Sequence, residues 1–193
     1  MFVLLSPGLA ALVLAAVHNR SLAPLTRMRI AAWPFGLAAF GTELALTSTP
    51  LGQHQFGLVW GPTVWVSALI TMALVLARNA WVSSSASRWA WALAALGVVL
   101  NVVVVLANDG HMPQSQEARI AAGASAERVA GLASEPGWRN VAPMTDESRL
   151  VWLGDVLPEP AWLPLHNVMS IGDVLLATGF AAVLYLATTP RPR

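Results

Sequence analysis

Long apolar runs separated by short polar connections make up most of the chain. Each run approaches the ~17 to 25 residues that a helix needs to cross a bilayer. The five runs are 2–17, 30–46, 58–77, 89–107 and 168–188. This pattern predicts an all-α, polytopic membrane helical bundle of about five transmembrane helices, in a single integral membrane domain that covers residues 1–193.

The one long polar stretch, residues 108–167, predicts an extracytoplasmic insertion with short interfacial helices. Its first part, 114–131, is rich in Ala, Glu, Arg and Gln, and Ser115 is placed to cap a helix that breaks near Gly123. Thr145 is placed to start a second short helix, which glycine 154 would end. An apolar strip follows, which we expect on the membrane surface or over the helix ends: Trp152, Leu153, Val156, Leu157 and Trp162.

The distribution of charge predicts the orientation of the bundle. The connections 18–29 and 78–88, and the tail after residue 188, contain arginines and no acidic residue. Short arginine-rich segments stay on the cytoplasmic side. The insertion carries four arginines against eight acids, a net charge of −4. We therefore expect the N-terminus and the insertion outside and the C-terminus in the cytoplasm.

Composition agrees with this class of protein and excludes several chemistries. The chain is 56% hydrophobic and 11% charged, its mean hydropathy is +0.60, and soluble domains are about 25% charged. It has no cysteine and no lysine, which excludes iron–sulfur clusters, thiolate nucleophiles and Schiff bases. No histidine lies in the middle of an apolar run, and no basic face carries aromatic side chains. We therefore expect no haem or other cofactor and no nucleic-acid partner.

Three polar strings interrupt the second half of the chain: Asn108–Pro113 (NDGHMP), Arg149–Pro158 (RLVWLGDVLP) and Met169–Val174 (MSIGDV). In order and spacing the strings resemble the motifs of a small bacterial membrane-protein family, domain of unknown function 5317. The resemblance extends over the whole chain and implies an integral protein of the bacterial cytoplasmic membrane with about five helices. It implies no activity. The chain departs from the family pattern at Asp109, where glycine is usual, and at Gln114, where a small apolar residue is common.

The residues of these strings can be explained as helix ends and turns, without a bound ligand. Asn108 would end the fourth helix, and Gly110 permits the strained turn that follows. Ser170 and Asp173 have the spacing of a capping box at the start of the last helix. The sequence therefore predicts helix termini at both places.

A functional interpretation treats the same side chains as one polar site. With the predicted orientation, seven of them lie at one membrane level, at the outer end of the bundle: Glu43, Asn108, Asp109, His111, Asp155, Ser170 and Asp173. An ionisable residue inside an apolar run, such as Glu43, is costly and points to function. Asn101 lies on nearly the same helix face as Asn108 and is placed to hydrogen-bond to Glu43 or Thr42.

The outer loops leave a metal site open. His54, His111 and His166 are predicted near several carboxylates, and imidazole and carboxylate are ligands for zinc and other divalent ions. No two histidines have a ligand spacing such as His-x-x-x-His. The sequence therefore names no metal ligand.

Three functions remain. Low charge inside the apolar runs favours an accessory or structural subunit of a larger membrane complex, whose partners would be the lipid bilayer and other subunits or copies of itself. A small transporter or channel with Glu43 and Asp173 in an outer vestibule is the alternative, although the inner helix halves lack polar groups. The third is an outer-face membrane enzyme that uses Asp155, Asp173 and His111 for acid–base or metal chemistry. The sequence favours a protein that is not an enzyme.

Overall fold

All five apolar runs fold as helices in the computed structural model, which describes residues 2–132, 138–162 and 167–190. The five long helices are α1 (Phe2–Val17), α2 (Trp33–Ser48), α3 (Gln55–Val82), α4 (Ser85–Ala107) and α7 (Ile171–Ala187). Two shorter helices, α5 (Gln116–Ala121) and α6 (Ala126–Leu132), lie in the insertion. The prediction of a mostly helical chain is confirmed.

Helix length supports fewer membrane spans than the five predicted. Of the described helices, α3 with 28 residues and α4 with 23 are long and apolar enough to cross a membrane, because ~1.5 Å per residue gives them about 42 and 35 Å. Helices α1 and α2 have 16 residues each and α7 has 17. These correspond to roughly 24 to 26 Å, less than the ~30 Å of a bilayer core. Five transmembrane helices are therefore not supported, because α1, α2 and α7 are shorter than the bilayer core.

The long helices pack in an order that differs from their order along the chain. α4 packs against both α3 and α7, while α1 contacts α7 and α2 contacts α3. The row is thus α1, α7, α4, α3, α2, with the last helix of the chain between the first and the fourth.

Glycines allow α4 and α7 to approach closely. A Cβ atom on Gly179 would lie 2.5 Å from the nitrogen of Ala94 and 2.7 Å from the carbonyl oxygen of Ala90. A Cβ atom on Gly172 would lie 2.6 Å from the carbonyl oxygen of Gly97 and would also overlap the Asn101 side chain. Because helix backbones approach this closely only where side chains are absent, these glycines fix the central contact of the bundle.

Short strands connect parts of the insertion to one another and connect the segment after α1 to the segment after α7. β2 (Met112–Gln114) pairs in parallel with β3 (Val141–Pro143), and β4 (Leu157–Pro158) pairs antiparallel with β5 (Val168–Met169). At the opposite end of the bundle, β1 (Arg20–Ser21) pairs with β6 (Thr189–Pro190).

The predicted helix structure of the insertion is partly confirmed. The Ser115 hydroxyl accepts a hydrogen bond from the Ala118 nitrogen at 3.1 Å and caps α5, and Gly123 has a φ of +104° between α5 and α6. The helix predicted from Thr145 is wrong. Only Val151–Leu153 forms a 3-10 turn, because the Ser148 hydroxyl accepts from the Thr145 nitrogen and Leu150 has a φ of +53°, which a helix does not allow.

The insertion packs on the end of the bundle. Its buried side chains Met112, Trp138 and Leu153 form one apolar cluster with Leu46, Trp65, Val104 and Val105 of the long helices. Of the predicted apolar strip, Leu153 is buried there, while Trp152 is 59% and Trp162 is 81% exposed. We call the end of the bundle beneath this cluster the insertion end.

Candidate functional site

Three polar side chains join α4 to the start of α7. The Ser170 hydroxyl accepts from the Asp173 nitrogen at 2.9 Å, and Asp173 Oδ2 accepts from the Ser170 nitrogen at 3.0 Å. This confirms the predicted capping box. Asn101 completes the group, because its Nδ2 donates to Asp173 Oδ1 and its Oδ1 accepts from the Ser170 hydroxyl, both at 2.9 Å. The predicted bond from Asn101 to Glu43 or Thr42 is replaced by these bonds, since α4 packs against α7 and α3 and not against α2 in the helix row.

Asn108 holds the 3-10 segment of the insertion against the end of α4. Its Oδ1 accepts from the Arg149 nitrogen at 2.8 Å, and its Nδ2 donates to the Arg149 carbonyl at 2.9 Å and to the Val104 carbonyl at 2.7 Å. The amide thus pairs with a backbone peptide as a neighbouring strand would. All of the polar atoms of this side chain are used within the chain itself.

The next two residues form the helix end that the sequence predicts. Asp109 and Gly110 have φ values of +53° and +82°, and the Gly110 nitrogen donates to the Val105 carbonyl at 3.0 Å. This is the bond of a helix-terminating Schellman turn. A Cβ atom at position 110 would lie 2.5 Å from the Pro62 Cβ, so glycine is required there. The Asp109 side chain is exposed and joins no polar group described here.

Asp155 is the most enclosed carboxyl group of the predicted site. It is 6% exposed, and its backbone nitrogen and carbonyl bond to the Pro113 carbonyl and the Ser115 nitrogen, both at 2.9 Å. Its side-chain Oδ2 accepts from Gln114 Nε2 at 3.1 Å. Gln114 Oε1 in turn accepts from Arg119 Nη1 at 2.6 Å. Gln114 therefore stands between the acid and the arginine.

Burial, and to a smaller degree the negative charge of Asp173, raise the pKa of Asp155 to about 7. The hydrogen bond from Gln114 and the positive charge of Arg119 act in the opposite direction. Removing a carboxylate from water disfavours its charged form, and the two nearby donors compensate only in part. The group therefore exchanges a proton near neutral pH.

The structure brings some predicted site residues together and separates others. The charge of Asp173 acts on the carboxyl groups of both Asp155 and Glu43, so both acids lie within electrostatic range of Asp173. Glu43 itself is only half-buried. Ser170 and Asn108 serve the local contacts above, and the Asp109 side chain is exposed.

The histidines that the structure describes do not form a ligand set. The ring of His111 lies 6.3 Å from that of Trp138, and His54 is an exposed residue at the start of α3. His166 lies outside the described residues. Within the described part of the chain, no group of three or more His, Cys, Asp or Glu side chains is placed to hold a metal ion.

Sequence reasoning missed two polar contacts. The first is the pair of residues beside Asp155, Gln114 and Arg119, and the second lies at the opposite end of the bundle. There the His18 Nδ1 lies 2.7 Å from the Tyr185 hydroxyl, the Arg20 guanidinium lies 4.7 Å from the Tyr185 ring centre, and Arg20 Nε donates to the Thr188 hydroxyl at 2.6 Å. The second joins residues that are far apart in sequence and left no signal.

Comparison with known proteins gives one match. A model of a family of unknown function, DUF5317, matches residues 29–185. No curated protein and no solved structure matches the chain.

Proposed function

Because this chain belongs to the DUF5317 family, whose function is unknown, we propose its role from the geometry alone: it is a structural subunit of a larger complex in the bacterial cytoplasmic membrane. The observation that carries this proposal is the use of the motif side chains. Asn108 binds the backbone of Arg149, and Asn101, Ser170 and Asp173 bind one another. Asn108 thus holds the insertion on the bundle, while the other three join α4 to α7, and groups engaged in this way are suited to presenting a fixed surface.

The apolar surface supports the membrane part of the proposal. In α2, Trp33, Phe35 and Leu37 are exposed, while Ala39 and Leu46 are its buried residues. An apolar surface of this extent is unusual in a soluble monomer and needs lipid or protein against it. We place α3 and α4 across the bilayer and the shorter α1, α2 and α7 in its apolar layer beside them, with the insertion outside.

The surface proposed for the partner is the part of the insertion that carries Trp152 and Trp162. Both tryptophans are exposed, whereas Leu153 beside Trp152 is buried. Exposed tryptophans on a well-packed base are typical of the residues that dominate protein–protein affinity. The proposed partner is an outer domain of another membrane protein.

The test is purification of the tagged full-length protein from its native membrane in a mild detergent, with mass spectrometry of what co-migrates. We expect a stoichiometric partner that is lost in the Trp152→Ser/Trp162→Ser variant. The matched control is Trp81→Ser, because Trp81 is 80% exposed at the far end of α3. A wild-type protein that migrates alone, or a partner retained by the double variant, contradicts the proposal.

A second function, a proton-linked transporter, is favoured by one observation. Asp155, with a pKa of about 7, lies within electrostatic reach of Asp173 at the insertion end. A proton-binding carboxyl group beside a bundle is a component of proton relays. Purified protein in liposomes should then move protons or a co-substrate in a way that Asp155→Asn abolishes. A structural subunit shows no such flux.

A further inference from the structure

A small pocket lies in the insertion beside the Asp155 contacts. Its volume is about 70 Å³, room for roughly two water molecules at ~30 Å³ each. It is lined by Gln114, Gln116, Arg119, Val129, Arg139, Val141, Ala142 and Pro143. Two of the lining residues are arginines, and no lining residue is acidic.

The charge at this pocket is positive. Burial lowers the pKa of Arg119, and the positive charges of Arg128 and Arg139 lower it further, so three guanidinium groups act on one another here. The Asp155 carboxyl group acts in the opposite direction. However, it contacts Arg119 only through Gln114, and its own charge is reduced by protonation near neutral pH. An arginine side chain stays protonated under all these influences.

One hydrogen-bond donor of the pocket is left without a partner. The Arg119 Nε is buried and makes no hydrogen bond within the described residues, whereas Nη1 of the same group donates to Gln114. A buried donor without an acceptor is unfavourable, and a charged donor more so. An anion in the pocket would pair with the guanidinium group of Arg119 and offset the repulsion from the neighbouring arginines.

We propose that this pocket binds a phosphate-type oxyanion, supplied either by free phosphate or by the phosphate of a lipid headgroup. The planar guanidinium fork matches the oxygens of phosphate, and such charge-assisted bonds are stronger than neutral ones. Gln116 at the pocket rim adds an amide group that can donate to a further oxygen. The inference does not depend on the proposed structural role, since a subunit or a transporter could carry the same site.

The first arm of the test uses inorganic phosphate and the purified full-length protein in detergent. Phosphate is titrated against thermal melting at constant ionic strength, with chloride as the balancing anion. A site of this kind gives a saturable rise in the melting temperature, and Arg119→Gln weakens the apparent affinity by about tenfold or more. Arg88→Gln is the matched control, because it removes the same charge at an exposed position at the start of α4. Arg139→Gln serves as a second variant and has the same expected effect.

The second arm tests a headgroup as the source. Wild-type protein and the variants are purified from membranes, and the phospholipid that each retains after detergent exchange is measured by native mass spectrometry. If a lipid headgroup occupies the site, the wild-type protein and Arg88→Gln retain a phospholipid and Arg119→Gln loses it. In that case free phosphate has little effect on the melting temperature until the lipid is removed. Either result supports the oxyanion site. A wild-type protein with neither a saturable phosphate response nor an arginine-dependent lipid overturns it.

Discussion

Asp155 is held away from water and within reach of a second carboxyl group, yet it keeps one good hydrogen-bond donor. That donor is Gln114. A small apolar side chain there would remove both the bond to Asp155 and the acceptor for Arg119. The glutamine therefore provides the polar contact between an arginine and an acid that do not meet directly.

Protonation of Asp155 should make stability depend on pH. Its pKa is about 7 in the folded protein against an ordinary value of 3.8, so between these values the folded state binds more protons than the unfolded chain. The free energy of unfolding therefore falls as the pH rises from about 4 to 7, by up to about 1.4 kcal/mol per pH unit. Asp155→Asn should flatten this slope in melting curves recorded between pH 5 and 8. The exposed Asp109→Asn should leave it unchanged, and equal slopes in all three proteins would rule out the assignment.

The backbone at Asp109 predicts a stabilising substitution. Its φ of +53° is the left-handed conformation that glycine adopts without steric cost. Asp109→Gly should therefore raise the free energy of unfolding by about 0.5 to 1 kcal/mol, measured as a higher melting temperature in detergent. If the variant melts lower, the Asp109 side chain contributes more than its exposed position suggests.

At the scale of elements, the start of α7 depends on one hydroxyl. Ser170→Ala removes the cap of the Asp173 nitrogen and a bond to Asn101 in a fully buried site. We expect a loss of about 1 to 3 kcal/mol in the free energy of unfolding. Ser67→Ala is the control, because the Ser67 hydroxyl bonds only to the Thr63 carbonyl of its own helix. Equal losses in both variants would mean that the cap contributes nothing specific.

Local signals predicted the termini of elements, whereas partners across the fold were not predictable. Ser115, Gly123 and the Ser170 box each act within a few residues, so their roles follow from spacing alone. The partner of Asn101 depends on which helix packs against α4, and no periodicity in the sequence states that α7 does so. Likewise, the burial of Trp138 against the bundle needs the whole insertion in place.

The lengths of the helices were also not predictable from the sequence. Apolar runs extend past the helix ends, as in the first residues of the run 30–46, which precede α2 at Trp33. Polar residues can also lie inside a helix. α3 continues through Arg78 and Asn79 because Asn79 bonds to both peptide groups of Ala31. The length of an apolar run therefore overestimates the length of some helices and underestimates that of others.

At the scale of the whole molecule, the absence of cysteine gives a direct test of orientation. Glu147→Cys in the insertion and Ser84→Cys between α3 and α4 each place a single thiol at an exposed position. In intact cells, a membrane-impermeant maleimide should label residue 147 at least about tenfold more than residue 84, since the arginine-rich connection belongs in the cytoplasm. After the membrane is permeabilised, both should be labelled equally. The reverse pattern would invert the orientation.

The helix row also has a consequence for biosynthesis. The partners of Asn101 lie 69 and 72 residues further along the chain, and the face of α4 formed by Ala90, Ala94 and Gly97 also has no partner until α7 is made. While the ribosome completes the insertion, α1 has no permanent neighbour, because α7 is the helix that joins it to the others. The last helix to be made therefore joins the bundle together, and a chain that stops before α7 leaves α1 unpacked and the Asn101 amide without its partners.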